Sequence, residues 1–312
     1  MTEASTIAVS AETGAAPTGE AGDAPRSLAS DAWRSLKKNP IFWVSVVLIA
    51  LFVLMAAWPS LFTNVDPNAA VLKDARVPPS LDGPWFGRDI QGYDIYSRTI
   101  YGARASILVG VFTTIATVII GGVLGVAAGF YGGWLDAVLS RVTDIFFAIP
   151  LLLGGILFMS VFANDANTPY FVVVGKVVLV LAVFGWPTIA RLMRSSVMQV
   201  KPNDYVQAAR ALGASPWRII RSHVLPNALA PVIVIATINL GVFIAAEAAL
   251  SFLGIGLTPP AVSWGVSISD ALIALRTTPH ILFFPSLFLS LAVLAFIMLG
   301  DAVRDAFDPK SR

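Results

Sequence analysis

The stretch Asp204-Tyr-Val-Gln-Ala-Ala-Arg-Ala-Leu-Gly-Ala-Ser-Pro-Trp-Arg-Ile-Ile-Arg-Ser-His-Val-Leu-Pro226 is polar and basic, and it lies between two long apolar runs. Asp204 is a good N-cap and Gln207 is spaced to close a capping box on it, so a helix is expected to start near Tyr205. Gly213 stops that helix, because glycine alone enters the left-handed conformation without steric cost. Ser215 caps a second helix with Pro216 in its first position, where a missing N–H costs nothing. Tyr205, Ala209 and Leu212, then Trp217, Ile220 and Val224, give each helix an apolar side, while Arg210, Arg218 and Arg221 give a basic one. A solvated face accounts for the arginines but has no use for the apolar residues. A helical elbow of this kind suits docking into a groove on a soluble partner.

The 312 residues around it are 56% hydrophobic and 13% charged, against about a quarter charged in soluble domains. This is the composition of an all-α, polytopic membrane protein. There is no cysteine, so disulfides and cysteine metal sites are excluded. Nothing in the charge pattern points to nucleic acid.

Residues 1–38 read as a disordered tail, with Arg34, Lys37 and Lys38 at its end. The run 39–58 reads as a first transmembrane helix, too long and too late for a signal core. An outer loop is expected over 59–104, followed by a core region over 105–300 carrying spans two to six. Span two holds Gly121, Gly125 and Gly129, whose spacing stacks them on one face for close helix packing. Span three is expected over Ile145 to Ala163, with Pro150 tolerated inside the bundle. Span four runs from Tyr170 to Ala190, with Lys176 near enough to its outer end to snorkel. Span five is Ala228 to Ala246, and the Gly- and Pro-broken Ser251 to Pro260 reads as a loop or re-entrant turn. Span six is Ile281 to Gly300, and 301–312 is a polar tail.

Six crossings put both termini on one side, together with the connecting loop 191–227 that holds the elbow. That side carries twice as many Lys and Arg as the other, so the positive-inside rule places it in the cytoplasm. Lys73, Arg76, Arg88, Arg98 and Arg104 in the first outer loop are the main count against it.

Gln207-Ala208-Ala209, Gly213 and Leu225-Pro226 resemble the E-A-A…G…L-P loop of permease subunits of bacterial ABC importers. Gln207 stands in place of the glutamate, and His223 in place of an isoleucine. Gly87-Arg-Asp-Ile-Gln-Gly-Tyr-Asp-Ile-Tyr-Ser-Arg98 with Ile100-Tyr-Gly-Ala-Arg104 is similar to a segment of dipeptide and oligopeptide permeases of the C-subunit type, with Arg88 and Tyr93 departing from it. His223-Val-Leu-Pro-Asn227, Glu247-Ala-Ala-Leu-Ser-Phe-Leu-Gly-Ile-Gly256, Ser263-Trp-Gly265 and Leu299-Gly-Asp-Ala-Val-Arg-Asp-Ala-Phe-Asp-Pro309 fit the same subfamily, which absorbs the His223 departure.

The resemblance implies a type I ABC importer permease fold in the bacterial inner membrane, surrounded by membrane lipid. It implies a second homologous permease, cytoplasmic ABC ATPase subunits that carry ATP and Mg, and an extracytoplasmic peptide-binding protein. The ATPase-coupling residues it implies are Gln207, Ala208, Ala209, Arg210, Gly213, Trp217, Arg218, Arg221, Leu225 and Pro226.

The chain has no P-loop, since Gly175-Lys176 is followed by Val177, and no His-Glu-x-x-His. No catalytic constellation or metal site is expected, and energy must come from a partner. Glu247 and Asn239 are the candidate pathway residues, a structural pair being the alternative for Glu247. Asp144 lies one helical turn from Arg141 and is expected to pair with it. The expected function is peptide uptake. A permease for nickel or another small solute is the alternative within the family, and a proton-coupled secondary transporter or a non-transporting scaffold lies outside it.

Overall fold

The computed structural model describes residues 28–165, 167–259 and 261–307. Residues 1–27 and 308–312 of the expected tails lie outside it. Over Leu28–Lys38 the tail reading is corrected, because these residues form a helix, α1. Ala32 and Leu36, four apart on one face, pack on Ala302 and Ala306 of the last helix, and that burial stabilises a helix too short to persist alone. Asn39, in extended conformation, separates α1 from the next helix. Its side chain accepts from Ile41 N at 2.9 Å and caps α2, Pro40–Ala57, with Pro40 in the first turn.

The outer segment after α2 is shorter than expected. Asp94 caps α3, Ile95–Tyr131, through Ser97 N at 2.8 Å, so Arg98 and Arg104 belong to a helix rather than a loop. Arg104 Nε reaches back to Ala56 O at 2.9 Å and ties down the end of α2. Between α2 and α3, an isolated antiparallel bridge joins Arg88 to Asp94.

Span three is also corrected. Instead of one helix over Ile145–Ala163 there are two, α4 (Gly133–Phe147) and α5 (Leu151–Val161), bent by 81°. Pro150 is the cause: it has no N–H to continue the ladder and sits in extended conformation ahead of α5. α6, Tyr170–Val200, continues through Pro187 a full ten residues beyond the expected end. Lys176 donates to Phe162 O and Ala163 O, which places its ammonium at the end of α5 as snorkelling predicts.

After α7 (Asp204–Ala211), the helix α8 (Pro216–Ile219) passes through a π-helical stretch, Ile220–Val224, into α9 (Leu225–Phe252). The fifth span is thus one unbroken helix from Pro216 to Phe252, 37 residues long. A turn leads to α10, Trp264–Ala271, and the chain closes with α11, His280–Phe307. Among the described residues five helices are long and apolar enough to cross a membrane, or six spans with the bent α4–α5 pair counted as one.

The centre is α3 against α6, the most extensive helix pair. The glycine face forms it: a Cβ on Gly121 would lie 2.6 Å from Trp186 O, and one on Gly125 would lie 2.5 Å from Ala190 O. Backbones meet where side chains would otherwise hold them apart.

Candidate coupling site

The elbow is built as its local chemistry dictates. Gly213 takes φ +80°, Ala214 N donates to Ala209 O at 3.1 Å, and Gly213 N donates to Arg210 O at 3.0 Å. These paired bonds satisfy the last carbonyls of α7. Ser215 Oγ accepts from Arg218 N at 3.4 Å, with Pro216 in the first turn of α8. The start of α7 differs from expectation. The preceding Asn203 is the N-cap residue and makes no side-chain cap bond, and no capping box forms between Asp204 and Gln207.

Gln207 instead donates its amide to Lys201 O at 2.9 Å, and Lys201 Nζ donates to Phe130 O at 2.7 Å. This relay ties α7 to the ends of α6 and α3. A glutamate could not donate the first bond, so the departure from the family residue uses the proton that only the amide has. Beside the relay a cavity of about 330 Å³ is lined by Gly129, Asp136, Met198, Lys201 and Gln207.

The apolar sides are redistributed relative to expectation. Val206, Ala209, Ile219, Ile220 and Val224 are buried against Phe130, Ile189, Met193 and Val197, so these form the inward side. Tyr205 (43% exposed), Leu212 (88%) and Trp217 (69%) face out. Arg210, Arg218, Arg221, Ala208 and Pro226 are exposed with them, while Leu225 is half-buried. The outer face is therefore a basic surface carrying large apolar side chains. His223 is half-buried, with its ring 6.4 Å from that of Tyr205.

Charge pairs brace the neighbouring helices. Arg194 on α6 holds Asp136 on α4 with two bonds, one at 2.7 Å. Asp144 pairs with Arg141 at 3.5 Å as expected, and also with Arg191 of α6 at 3.1 Å.

Glu247 does not line an open surface. It is wholly enclosed, with Ser106 of α3 donating to Oε2 at 2.7 Å and Ser251 donating to Oε1 at 2.8 Å. Ser263, just ahead of α10, bonds the same carboxyl. Ser251 Oγ also accepts from Leu257 N at 2.9 Å, which folds the turn after α9 back onto the helix. Within this chain the carboxyl is thus held by serines, partners that could not be found by looking for an opposite charge. Asn239 is half-buried on α9.

Comparison with known proteins agrees with this architecture. A family model described as "Binding-protein-dependent transport system inner membrane component" matches residues 121–312. A second, "N-terminal TM domain of oligopeptide transport permease C", matches residues 27–79. The chain is 38% identical over 276 residues to the oligopeptide transport system permease protein OppC of Bacillus subtilis (strain 168), covering 88% of each. It is 39% identical over 282 residues to the dipeptide transport system permease protein DppC of the same strain, covering 89% of this chain and 84% of the relative. The glutathione transport system permease protein GsiD of Pectobacterium atrosepticum is 34% identical over 264 residues, 85% of each chain. Among solved structures, an amino acid ABC transporter chain superposes with a TM-score of 0.50 at 17% identity, over 65% of this chain and 91% of that one. That last likeness concerns the fold.

Proposed function

Because the chain belongs to the binding-protein-dependent transport system inner membrane component family, we propose that it is a permease subunit of an ATP-driven ABC importer of peptides. It is a multi-pass inner-membrane protein and not itself an enzyme, since ATP hydrolysis is the work of partner subunits. A second, homologous permease completes the pathway, and an extracytoplasmic binding protein delivers the peptide. The names of the relatives support peptides as the substrate class. The excess of Lys and Arg beside the elbow supports a cytoplasmic position for it and for both termini.

The observation that carries the coupling role is the continuity of Pro216–Phe252. At 1.5 Å per residue this helix is about 55 Å long. One end carries exposed Trp217 and Arg218; the other carries Glu247, bonded to α3 and to the segment before α10. An ATPase groove that grips the elbow as it closes on ATP therefore moves a rigid rod whose far end holds the outer segment. Switching between inward-facing and outward-facing packings follows from differential binding of the two states by the ATPases.

The test is at Gly213. A Cβ there meets nothing within 4 Å, so only the positive φ resists substitution. Gly213→Asn, which tolerates that conformation, should retain peptide uptake in proteoliposomes holding the whole transporter. Gly213→Val, which does not, should keep ATP hydrolysis but lose uptake. Equal uptake by both variants would remove the elbow's angle from the mechanism.

A further inference from the structure

α1 is not used by the coupling mechanism, yet its side chains are sorted with care. Ala32 and Leu36 are buried on α11, while Trp33, Arg34, Lys37 and Lys38 are exposed. Among the described residues none of these three cations pairs with a carboxylate. The Lys37 ammonium sits 5.2 Å from the Trp33 ring, and Trp43 Nε1 donates to Lys37 O at 3.0 Å.

Immediately beyond, α2, long and apolar enough to cross a membrane, presents Ile41, Val44, Val47, Leu51 and Leu54 outward, an exposed apolar stripe that begins three positions after Lys38. Exposed Trp33 (50%) and Trp43 (49%) flank that boundary. Indole rings partition to the level where hydrocarbon meets headgroup, and long cationic side chains reach from there to phosphate.

We propose that α1 and the start of α2 form a binding site for anionic phospholipid headgroups, with Arg34, Lys37 and Lys38 engaging the phosphate and Trp33 and Trp43 seated at the hydrocarbon edge. Continuity with the exposed apolar side of α2, a helix of membrane-spanning length, favours a lipid over an acidic protein surface as the occupant. Each cation contributes about fivefold to preference for an anionic surface.

The test uses the full-length chain in mild detergent, titrated with phosphatidylglycerol or phosphatidylcholine of identical acyl chains, with bound lipid counted by native mass spectrometry. The wild type should favour phosphatidylglycerol by at least about tenfold. R34Q/K37Q/K38Q should abolish that preference, and R34K/K37R/K38R should keep it. R210Q/R218Q/R221Q, on the elbow, should also keep it. The site is overturned by a wild type without preference, by a glutamine variant that retains it, or by displacement of the lipid by millimolar inorganic phosphate. Retained lipid preference with loss of a copurifying partner subunit would assign the face to a protein and equally overturn the proposal.

Discussion

Ser106 donates to a Glu247 carboxylate oxygen across 2.7 Å, although 141 positions separate them in the chain. The bond joins α3 to the far end of the long helix that begins at the elbow, and Ser251 and Ser263 converge on the same carboxyl. Removing one partner from a buried set leaves the others desolvated and unpaired, which costs more than the bonds themselves contribute.

Glu247→Ala should therefore destabilise the detergent-solubilised chain by about 2–4 kcal/mol, as two or more hydroxyls lose their acceptor. Glu247→Gln keeps an acceptor and gains a donor that a rotated serine can accept, so it should cost less than half as much. Thermal unfolding of the two variants side by side distinguishes a hydrogen-bonding knot from a site that needs the carboxylate charge, where both would be equally damaging.

The α3–α6 contact makes a sharper contrast between two adjacent kinds of glycine. A methyl on Gly125 would meet Ala190 O at 2.5 Å and Met193 Cβ at 2.7 Å, whereas on Gly122 it would find only Met193 Cε at 3.9 Å. Gly125→Ala is expected to cost about 1–3 kcal/mol by forcing the helices apart. Gly122→Ala should be neutral or stabilising by up to about 1 kcal/mol, from helix propensity alone. Equal midpoints for the two would contradict the backbone contact.

What could be read from the sequence was chiefly local. Gly213, Ser215 and Pro216 act through their own backbone, so the elbow's corner was legible from residue type and spacing. The stacked glycines of α3 and the apolar runs were equally plain, because bilayer thickness and helical period act on contiguous residues. Long-range partners decided the rest. Whether Val206 or Tyr205 turns inward depends on where α6 lies, and α1 exists because Ala302 and Ala306 are there to cover it. Pro150, read from sequence alone, is a tolerated interruption of one span. Its 81° bend separates two helices that hydropathy merges into one.

Gln207 provides a prediction at the elbow's hinge with the membrane helices. Its amide donates to Lys201 O, so Gln207→Ala should loosen α7 by about 0.5–1.5 kcal/mol. Amide exchange over residues 204–212 should quicken accordingly, about two- to tenfold, while the membrane helices keep their protection. Gln207→Glu should quicken it too, since a carboxylate cannot donate to that carbonyl. Protection unchanged in both variants would show that the relay does not hold α7.

In the proposed mechanism the exposed elbow passes the ATPases' motion to the membrane helices. Leu212 and Trp217 are 88% and 69% exposed, so cutting them back removes apolar area from the proposed docking surface while leaving the fold intact. The most direct measurement is peptide taken up per ATP hydrolysed, in proteoliposomes holding the complete transporter with L212A/W217A in place of the wild-type chain. The expected result is ATP hydrolysis that continues while uptake per ATP falls at least about tenfold, as for loss of an interface hot spot. An unchanged ratio of uptake to hydrolysis would contradict it.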